Sequence, residues 1–258
     1  MRSSVGFRRI DIHAHVNFPE FEEDRDAVVR RAVEGGAAMI NVGTSLETSR
    51  SAVALANRYE TGVYAIIGQH PVDTDEAFDS TAFRALATSM KVVGIGECGL
   101  DYFHLKDGSK QRQKDLFVAE IELANELGKP LMLHLRDAYA DAIDILKSHA
   151  KVKGNSHFFA GSIEQAKKLF DLGFTISFTG VITFAKQYIE LIEYAPLDMI
   201  QAETDCPFVA PIPYRGKRNE PAYVAEVTKK IAEVKKMPVE AVETALIDNA
   251  RRVWNLNI

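Results

Sequence analysis

The chain reads VVGIGECGLD from Val92 to Asp101 and so contains, at positions 94–99, the G-x-G-x-x-G pattern of dinucleotide-binding turns. A dinucleotide site needs a strand before this pattern and a helix that opens directly out of it. The apolar residues before it predict the strand, whereas residues 100–108 (LDYFHLKDG) show no helical period. A carboxylate in the middle of the turn, Glu97, is also a poor neighbour for a pyrophosphate. We therefore interpret Glu97 as a functional group and predict that no nucleotide cofactor binds.

Short apolar runs alternate with longer amphipathic ones along the rest of the chain. The predicted strands are 9–15, 37–44, 63–70, 91–99, 130–136, 155–159, 174–180 and 199–205. Apolar spacing and capping residues predict helices over 23–36, 46–59, 111–128, 137–149, 162–173 and 238–254, with Asp137 and Ser162 as N-caps. Eight alternating units in about 250 residues favour a parallel sheet closed into a (β/α)8 TIM barrel. An open doubly wound sheet is the alternative fold.

The composition sets broad limits on class and partners. The chain has 258 residues, 47% of them hydrophobic, and we predict one domain over residues 1–258. A formal net charge of −5 gives no general attraction to nucleic acid or to anionic membranes, so nucleic acid would need a local patch. Two cysteines imply no disulfide framework, and no run is apolar enough for a leader or a bilayer span. These features predict a cytoplasmic protein.

Polar side chains gather towards the carboxyl ends of the predicted strands, where barrel enzymes place their chemistry. Because side chains alternate along a strand, we expect each of four sets to share a face: Asp11, His13 and His15; Val93, Ile95 and Glu97; Met132, His134 and Arg136; Gln201, Glu203 and Asp205. Imidazoles beside carboxylates suit zinc or a transition metal. Six candidate ligands suit two ions with Glu97 as the bridge: His13, His15, Glu97, His134, His157 and Asp205.

Each of these residues also has a structural interpretation. A single histidine at a strand end is more often a hydrogen-bonded structural group than a ligand, and for His70 we favour that role or one beside the ligands. His13 and His15 differ, because H-x-H on a strand aims both rings at one point. Glu203 shares a predicted face with Asp205 and suits a salt bridge as well as a place next to the ligands.

Six segments together resemble the TatD family of metal-dependent hydrolases, in the order in which the family carries them: DIHAHV, GQHP, GIGECGLDY, LHLRDAY, ETDCPF and PYRGKRNEP. The resemblance covers nearly the whole chain and implies a barrel of the amidohydrolase type. It implies one ion held by His13, His15, Glu97 and Asp205, and another held by Glu97, His134 and His157. The sixth-strand motif reads HFFAG instead of the family's usual H-C-F-S-G, a departure that concerns substrate preference more than metal binding.

The resemblance also implies a nuclease that acts on DNA, often from the 3′ end. Two divalent ions would polarise the phosphoryl group and activate water, with Glu97 and Asp205 as the catalytic carboxylates. The predicted substrate-binding residues are Arg215, Asn219, His70 and Arg136. Lys217 and Arg218 we interpret as solvated charges.

Two other functions fit the same residues. Hydrolysis of an ester or amide, for example release of a D-amino acid from tRNA, needs a similar metal centre, because a fold does not choose the leaving group. A metal-binding protein that has lost catalysis and works through partners would keep the ligands too. Zinc, manganese or iron suits the predicted ligands, and magnesium suits them less because of their nitrogen content. Oligomeric state and the choice between exo- and endo-cleavage are left open.

Overall fold

All eight predicted strands are present, with their ends displaced by a few residues. The computed structural model describes residues 6–105 and 109–258. The strands are β1 (Arg9–Ala14), β2 (Ala37–Val42), β3 (Val63–Ile67), β4 (Val92–Asp101), β5 (Leu131–Arg136), β6 (Gly154–Ser156), β7 (Thr175–Phe178) and β8 (Ile200–Ala202). They form one parallel sheet in chain order, so the strand order is that of a TIM barrel.

Helices connect the strands and cover the outside of the sheet. They are α1 (Arg25–Glu34), α2 (Leu46–Ala56), α3 (Ser80–Leu86), α4 (Ser109–Leu127), α5 (Tyr139–His149), α6 (Ile163–Asp171), α7 (Ile189–Tyr194), α8 (Val224–Lys235) and α9 (Val239–Trp254). The sequence analysis did not identify α3, α7 and α8. The first two are too short to show a helical period, and α8 begins without a side-chain cap.

The two predicted N-caps have different outcomes. Ser162 and Gln165 form the expected reciprocal capping box at the start of α6. The prediction for Asp137 is wrong, because Ala138 takes the N-cap position of α5. Asp137 has a positive φ of 54°, so the chain turns there before the helix begins.

The barrel closes where β1 meets the end of β8. Ala14 and Cys206 form a parallel bridge. The Asp205 N–H donates to the carbonyl of His13 and the His15 N–H to that of Cys206, both at 2.9 Å. The buried Asp11 carboxylate joins the same two strands, because it accepts hydrogen bonds from the N–H and the hydroxyl of Thr204. The predicted closed barrel is therefore confirmed, and the open sheet is not observed. Three of the predicted ligands, His13, His15 and Asp205, lie where β1 meets the end of β8.

Apolar side chains form two clusters, one on each side of the sheet. The larger lies between the sheet and the outer helices, and the smaller fills the interior around Ile12, Ile66 and Trp254. The predicted faces of β1 are wrong in part, since Ile10 and Ile12 belong to the interior cluster and do not face the helices. A register shift between Asp11 and Ala14 interrupts the alternation and lets His13 face the interior as well.

The predicted face of β4 is also wrong, because of a similar irregularity. Ile95 belongs to the outer cluster and does not share a face with Glu97, because the register shifts between Ile95 and Cys98. Gly96 lies in this irregular stretch with a φ of 148°, and a Cβ there would sit 2.4 Å from the carbonyl oxygen of Met132. Only glycine allows β4 to pass so close to β5. The G-x-G-x-x-G pattern thus lies inside a strand, and its glycines let Glu97 point into the barrel.

Candidate metal centre

The barrel brings the six predicted ligands together at the carboxyl end of its strands. Five of them are buried and His134 is half-buried. They come from β1 or the residue after it (His13, His15), β4 (Glu97), β5 (His134), and the segments that follow β6 (His157) and β8 (Asp205). Residues far apart in the sequence therefore meet at one place.

The first group of donors comes from His13, His15, Glu97 and Asp205. His13 Nε2 lies 3.1 Å from His15 Nε2 and 3.3 Å from Glu97 Oε2, and Asp205 Oδ1 lies 3.4 Å from His15 Nε2. Four ligands placed tetrahedrally at about 2.0–2.1 Å from zinc are about 3.4 Å from one another. His15 Nδ1 lies 2.9 Å from the Val42 carbonyl, which leaves the Nε2 lone pair free. The donor spacing fits one such ion.

The second group uses the other carboxylate oxygen of Glu97. Glu97 Oε1 lies 2.8 Å from His157 Nε2 and 2.9 Å from His134 Nδ1, and these two ring nitrogens are 3.3 Å apart. His70 Nε2 lies 3.4 Å from the same oxygen. Since Oε2 faces the first group and Oε1 the second, Glu97 stands between two sets of donors, as a bridging carboxylate does.

The charge state of these groups suits a cation. Burial alone would raise the pKa of Glu97, but the neighbouring histidines, above all His157 and His13, hold it well below its ordinary value. The pKa of Asp205 is also lowered, because the hydrogen bond from His15 and the nearby histidine charges outweigh burial. Burial lowers the pKa of His13, whereas neighbouring carboxylates outweigh burial and raise the pKa of His15, His134 and His157, so a metal ion would displace protons from these three rings. Ionised carboxylates next to imidazole nitrogens form the donor set that zinc and similar divalent ions take.

Asp101 holds the far side of the His134 ring. Its Oδ2 lies 3.1 Å from His134 Nε2 and 2.9 Å from Nδ1 of His104, and the Gln113 side chain bonds its backbone N–H and C=O. A carboxylate in this position fixes the orientation and tautomer of a metal-binding histidine. Asp101 was not among the predicted site residues, because the predicted strand ends at residue 99. The signal was its position four residues after Glu97, on the same face of an extended strand.

Glu203 occupies the corresponding place beside His157. Its Oε1 lies 3.6 Å from His157 Nδ1 and accepts the Phe158 N–H at 2.6 Å, while its Oε2 accepts the Ser177 hydroxyl at 2.7 Å. The residue is fully buried. Its position fits both interpretations, because Glu203 lies next to a candidate ligand and can form an ion pair with the ring of that ligand.

A cleft of about 710 Å³ opens over the two donor groups. His70 and Arg136 line it, as expected for residues that contact substrate, and the Arg136 guanidinium lies 4.0 Å from the ring centre of Phe103. Phe158 and Ala160, the residues that depart from the family motif, line it too. Among the described residues that line the cleft, Arg136 is the only lysine or arginine.

The loop after β8 places the other two predicted substrate residues away from the cleft. The Asn219 side chain is fully buried, and its amide donates to the carbonyls of Thr204 and Phe208 at 2.9 and 2.7 Å. Arg215 lies 3.9 Å from the ring centre of Phe184 and does not line the cleft. Arg218 forms a two-pronged ion pair with Asp24. Asn219 therefore braces the loop from inside.

The family model of TatD related DNases matches residues 10–255. The chain belongs to this family. The metal-dependent hydrolase YabD of Bacillus subtilis is 40% identical over 256 residues, which cover 96% of this chain and 99% of the relative. The 3′-5′ ssDNA/RNA exonuclease TatD of Cronobacter sakazakii is 34% identical over 260 residues, which cover 96% and 98%. The crystal structure of YjjV, a TatD homologue from Escherichia coli K12, superposes with a TM-score of 0.89 at 29% identity and covers 98% of this chain and 100% of that one.

The comparisons confirm the resemblance found in the sequence. The protein is a metal-dependent hydrolase of the TatD family, and it contains His/Glu groups that could hold a metal, among them His13, His15 and Glu97, and His70, Glu97 and His134. In the described part of the chain, no helix combines the length and the apolar character needed to cross a bilayer.

Proposed function

We propose that this protein is a two-metal nuclease that hydrolyses phosphodiester bonds of DNA, with 3′-to-5′ removal of nucleotides as its mode of action. The observation that carries the proposal is Glu97, whose two carboxylate oxygens each face a separate set of imidazole donors beneath an open cleft. The TatD relatives named as 3′-5′ ssDNA/RNA exonucleases support it.

We assign one ion to His13, His15, Glu97 and Asp205 and the other to Glu97, His134 and His157. When bound, two such ions would polarise a phosphoryl oxygen and lower the pKa of water, so that hydroxide would be available at neutral pH. Four imidazoles in the combined set favour zinc, manganese or iron over magnesium.

Four side chains have separate roles in the proposed reaction. Asp205 lines the cleft and its lowered pKa keeps it ionised, so its carboxylate can orient the attacking water, accept its proton and return that proton to the leaving oxygen of the cleaved phosphodiester. Glu97 fixes the separation of the two donor groups. The Val72 N–H donates to His70 Nδ1 at 3.4 Å, so a neutral His70 carries its proton on Nε2, which faces Glu97 Oε1 at 3.4 Å. Beside that carboxylate, the Nε2–H can donate to a phosphoryl oxygen bound over the donor groups. Arg136 supplies the cationic contact to the substrate backbone.

The deciding experiment offers the metal-loaded protein single-stranded oligonucleotides labelled at the 5′ end or at the 3′ end, with D-aminoacyl-tRNA as a parallel substrate. We expect a ladder of 5′-labelled products that shortens one nucleotide at a time. Asp205→Asn should abolish the ladder while the protein stays folded. Release of the amino acid from tRNA with intact oligonucleotides would move the assignment to ester hydrolysis.

A further inference from the structure

Two exposed phenylalanines stand on opposite walls of the cleft. Phe208 is 48% exposed and Phe103 is 60% exposed, and both line the cleft over the donor groups. Phe208 follows β8, which pairs with β1, whereas Phe103 follows β4, which pairs with β5. In a cylinder of eight strands in chain order these two pairs face each other, so the two rings lie on either side of the metal centre.

Both rings are exposed even though hydrogen bonds hold the backbone around them in place. The Phe208 N–H donates to the carbonyl of Asp205, and the Phe208 carbonyl accepts the buried Asn219 amide. Phe103 lies between Tyr102, whose N–H bonds the Arg136 carbonyl, and His104, whose N–H bonds the Asp101 carboxylate. The backbone therefore holds two large apolar surfaces towards solvent at the mouth of a hydrolytic site, where exposed aromatic rings indicate a binding role.

The charges of the cleft indicate which ligand these rings meet. Arg136 is its only lysine or arginine among the described lining residues, and Asp73 and Asp137 also line it. The described lining residues therefore offer little positive charge along which a phosphate backbone could lie. Flat aromatic rings beside a phosphate-cleaving centre suit unpaired bases, because stacking is available to every base and needs no sequence-specific hydrogen bond.

From this arrangement we propose a nucleobase-stacking subsite on each side of the metal centre: Phe208 carries one base, and Phe103 with Arg136 carries another. The intervening phosphate then lies over the donor groups. The inference rests on the proposed nuclease function and adds to it that unpaired bases, more than backbone charge, provide the affinity. Inside a duplex the neighbouring base pairs cover both faces of each base, so a duplex must fray before its bases can stack on the two rings.

The test uses a short single strand that contains 2-aminopurine, bound to the full-length protein in the presence of a chelator so that no hydrolysis occurs. We expect stacking to quench the fluorescence in the wild type, and Phe208→Ala to remove the quenching and weaken the affinity roughly 5- to 100-fold. Phe208→Trp should restore both. Tyr194→Ala is the matched control, because Tyr194 is a 44% exposed aromatic residue that does not line the cleft.

A second measurement separates this inference from the nuclease assignment. Against an oligonucleotide of the same length with abasic sites, Phe208→Ala and the wild type should have equal kcat/KM, while on the normal strand the variant should be slower. Cleavage of both strands with no difference between Phe208→Ala and Tyr194→Ala would overturn the stacking subsites and leave the nuclease. A wild type that cleaves neither strand and does not bind the fluorescent one would overturn both.

Discussion

Asp101 and His134 are joined across neighbouring strands: Asp101 Oδ2 lies 3.1 Å from His134 Nε2, while Nδ1 of the same ring lies 2.9 Å from Glu97 Oε1. The ring thus stands between a buried carboxylate and the proposed bridging carboxylate. The pKa of Asp101 is lowered because the hydrogen bonds from His134 and His104 outweigh its burial. An ionised Asp101 holds the proton on Nε2 and leaves the Nδ1 lone pair to the metal.

Replacement of Asp101 should therefore weaken the second metal site. We expect Asp101→Asn to reduce affinity for the ion assigned to Glu97, His134 and His157 about 10- to 100-fold, because an amide no longer fixes the tautomer of His134. Metal titration followed by calorimetry measures this. Asp144→Asn, on the exposed face of α5, should change nothing. Equal metal affinity for wild type and Asp101→Asn would show that Asp101 plays no part in orienting the ring.

Asn219 should stabilise the fold and make no direct contact with substrate. Asn219→Ala leaves the buried carbonyl of Thr204 and the partly buried carbonyl of Phe208 without their donor, at a cost of about 1–3 kcal/mol in the free energy of unfolding. Urea unfolding of the metal-loaded protein measures this, with the exposed Asn257→Ala as the control. Full stability together with a large loss of kcat/KM on oligonucleotides would favour the original substrate-binding interpretation.

Substitutions of Arg136 and of Arg215 should have different effects on kcat/KM. Arg136→Gln removes the one arginine among the described residues that line the cleft, and we expect kcat/KM on a single strand to fall about 10- to 100-fold, with Arg136→Lys intermediate. Arg215→Gln is the matched control, because Arg215 lies against Phe184 outside the cleft. The reverse order of effects would place the phosphate contact in the loop after β8.

The stability of the metal-free protein should fall as pH rises above neutrality. Although burial lowers the pKa of His157, the charges of Glu97 and Glu203 raise it well above its ordinary value. A raised folded-state pKa gives stabilisation that is complete below the unfolded value, about 6.5, and is lost as pH rises through the folded value. Glu97, with its lowered pKa, contributes above about pH 4.3 and loses its contribution as pH falls through its folded value.

Urea unfolding in chelator between pH 5 and 8 checks this dependence. The free energy of unfolding of the wild type should decrease from about pH 6 to 8, and the decrease should be smaller in Glu97→Gln, which lacks the charge that most raises the pKa of His157. With metal bound the trend should reverse, because ions bind deprotonated ligands. A chelated wild type that gains stability over this range would contradict the charge assignment.

The barrel and most of the centre could be predicted because each strand–helix unit carries its own periodicity, and because the candidate ligands end strands that a parallel barrel brings together. Which side chains of β1 and β4 share a face could not be predicted. Register shifts next to His13 and Glu97 reverse the alternation, and no side-chain pattern marks them. Asn219 shows a different limit, since a polar loop residue looks the same in sequence whether it faces substrate or braces the backbone from inside.

The central claim is that six residues from five strands and their ends hold two cations with Glu97 between them. Anomalous diffraction from crystals grown with zinc tests it most directly. We expect two peaks about 3.5–4 Å apart, one beside each carboxylate oxygen of Glu97, and only one or none in Glu97→Gln. Wild-type crystals with no peak at the carboxyl end of the strands, or with peaks bound to other residues, would contradict the account.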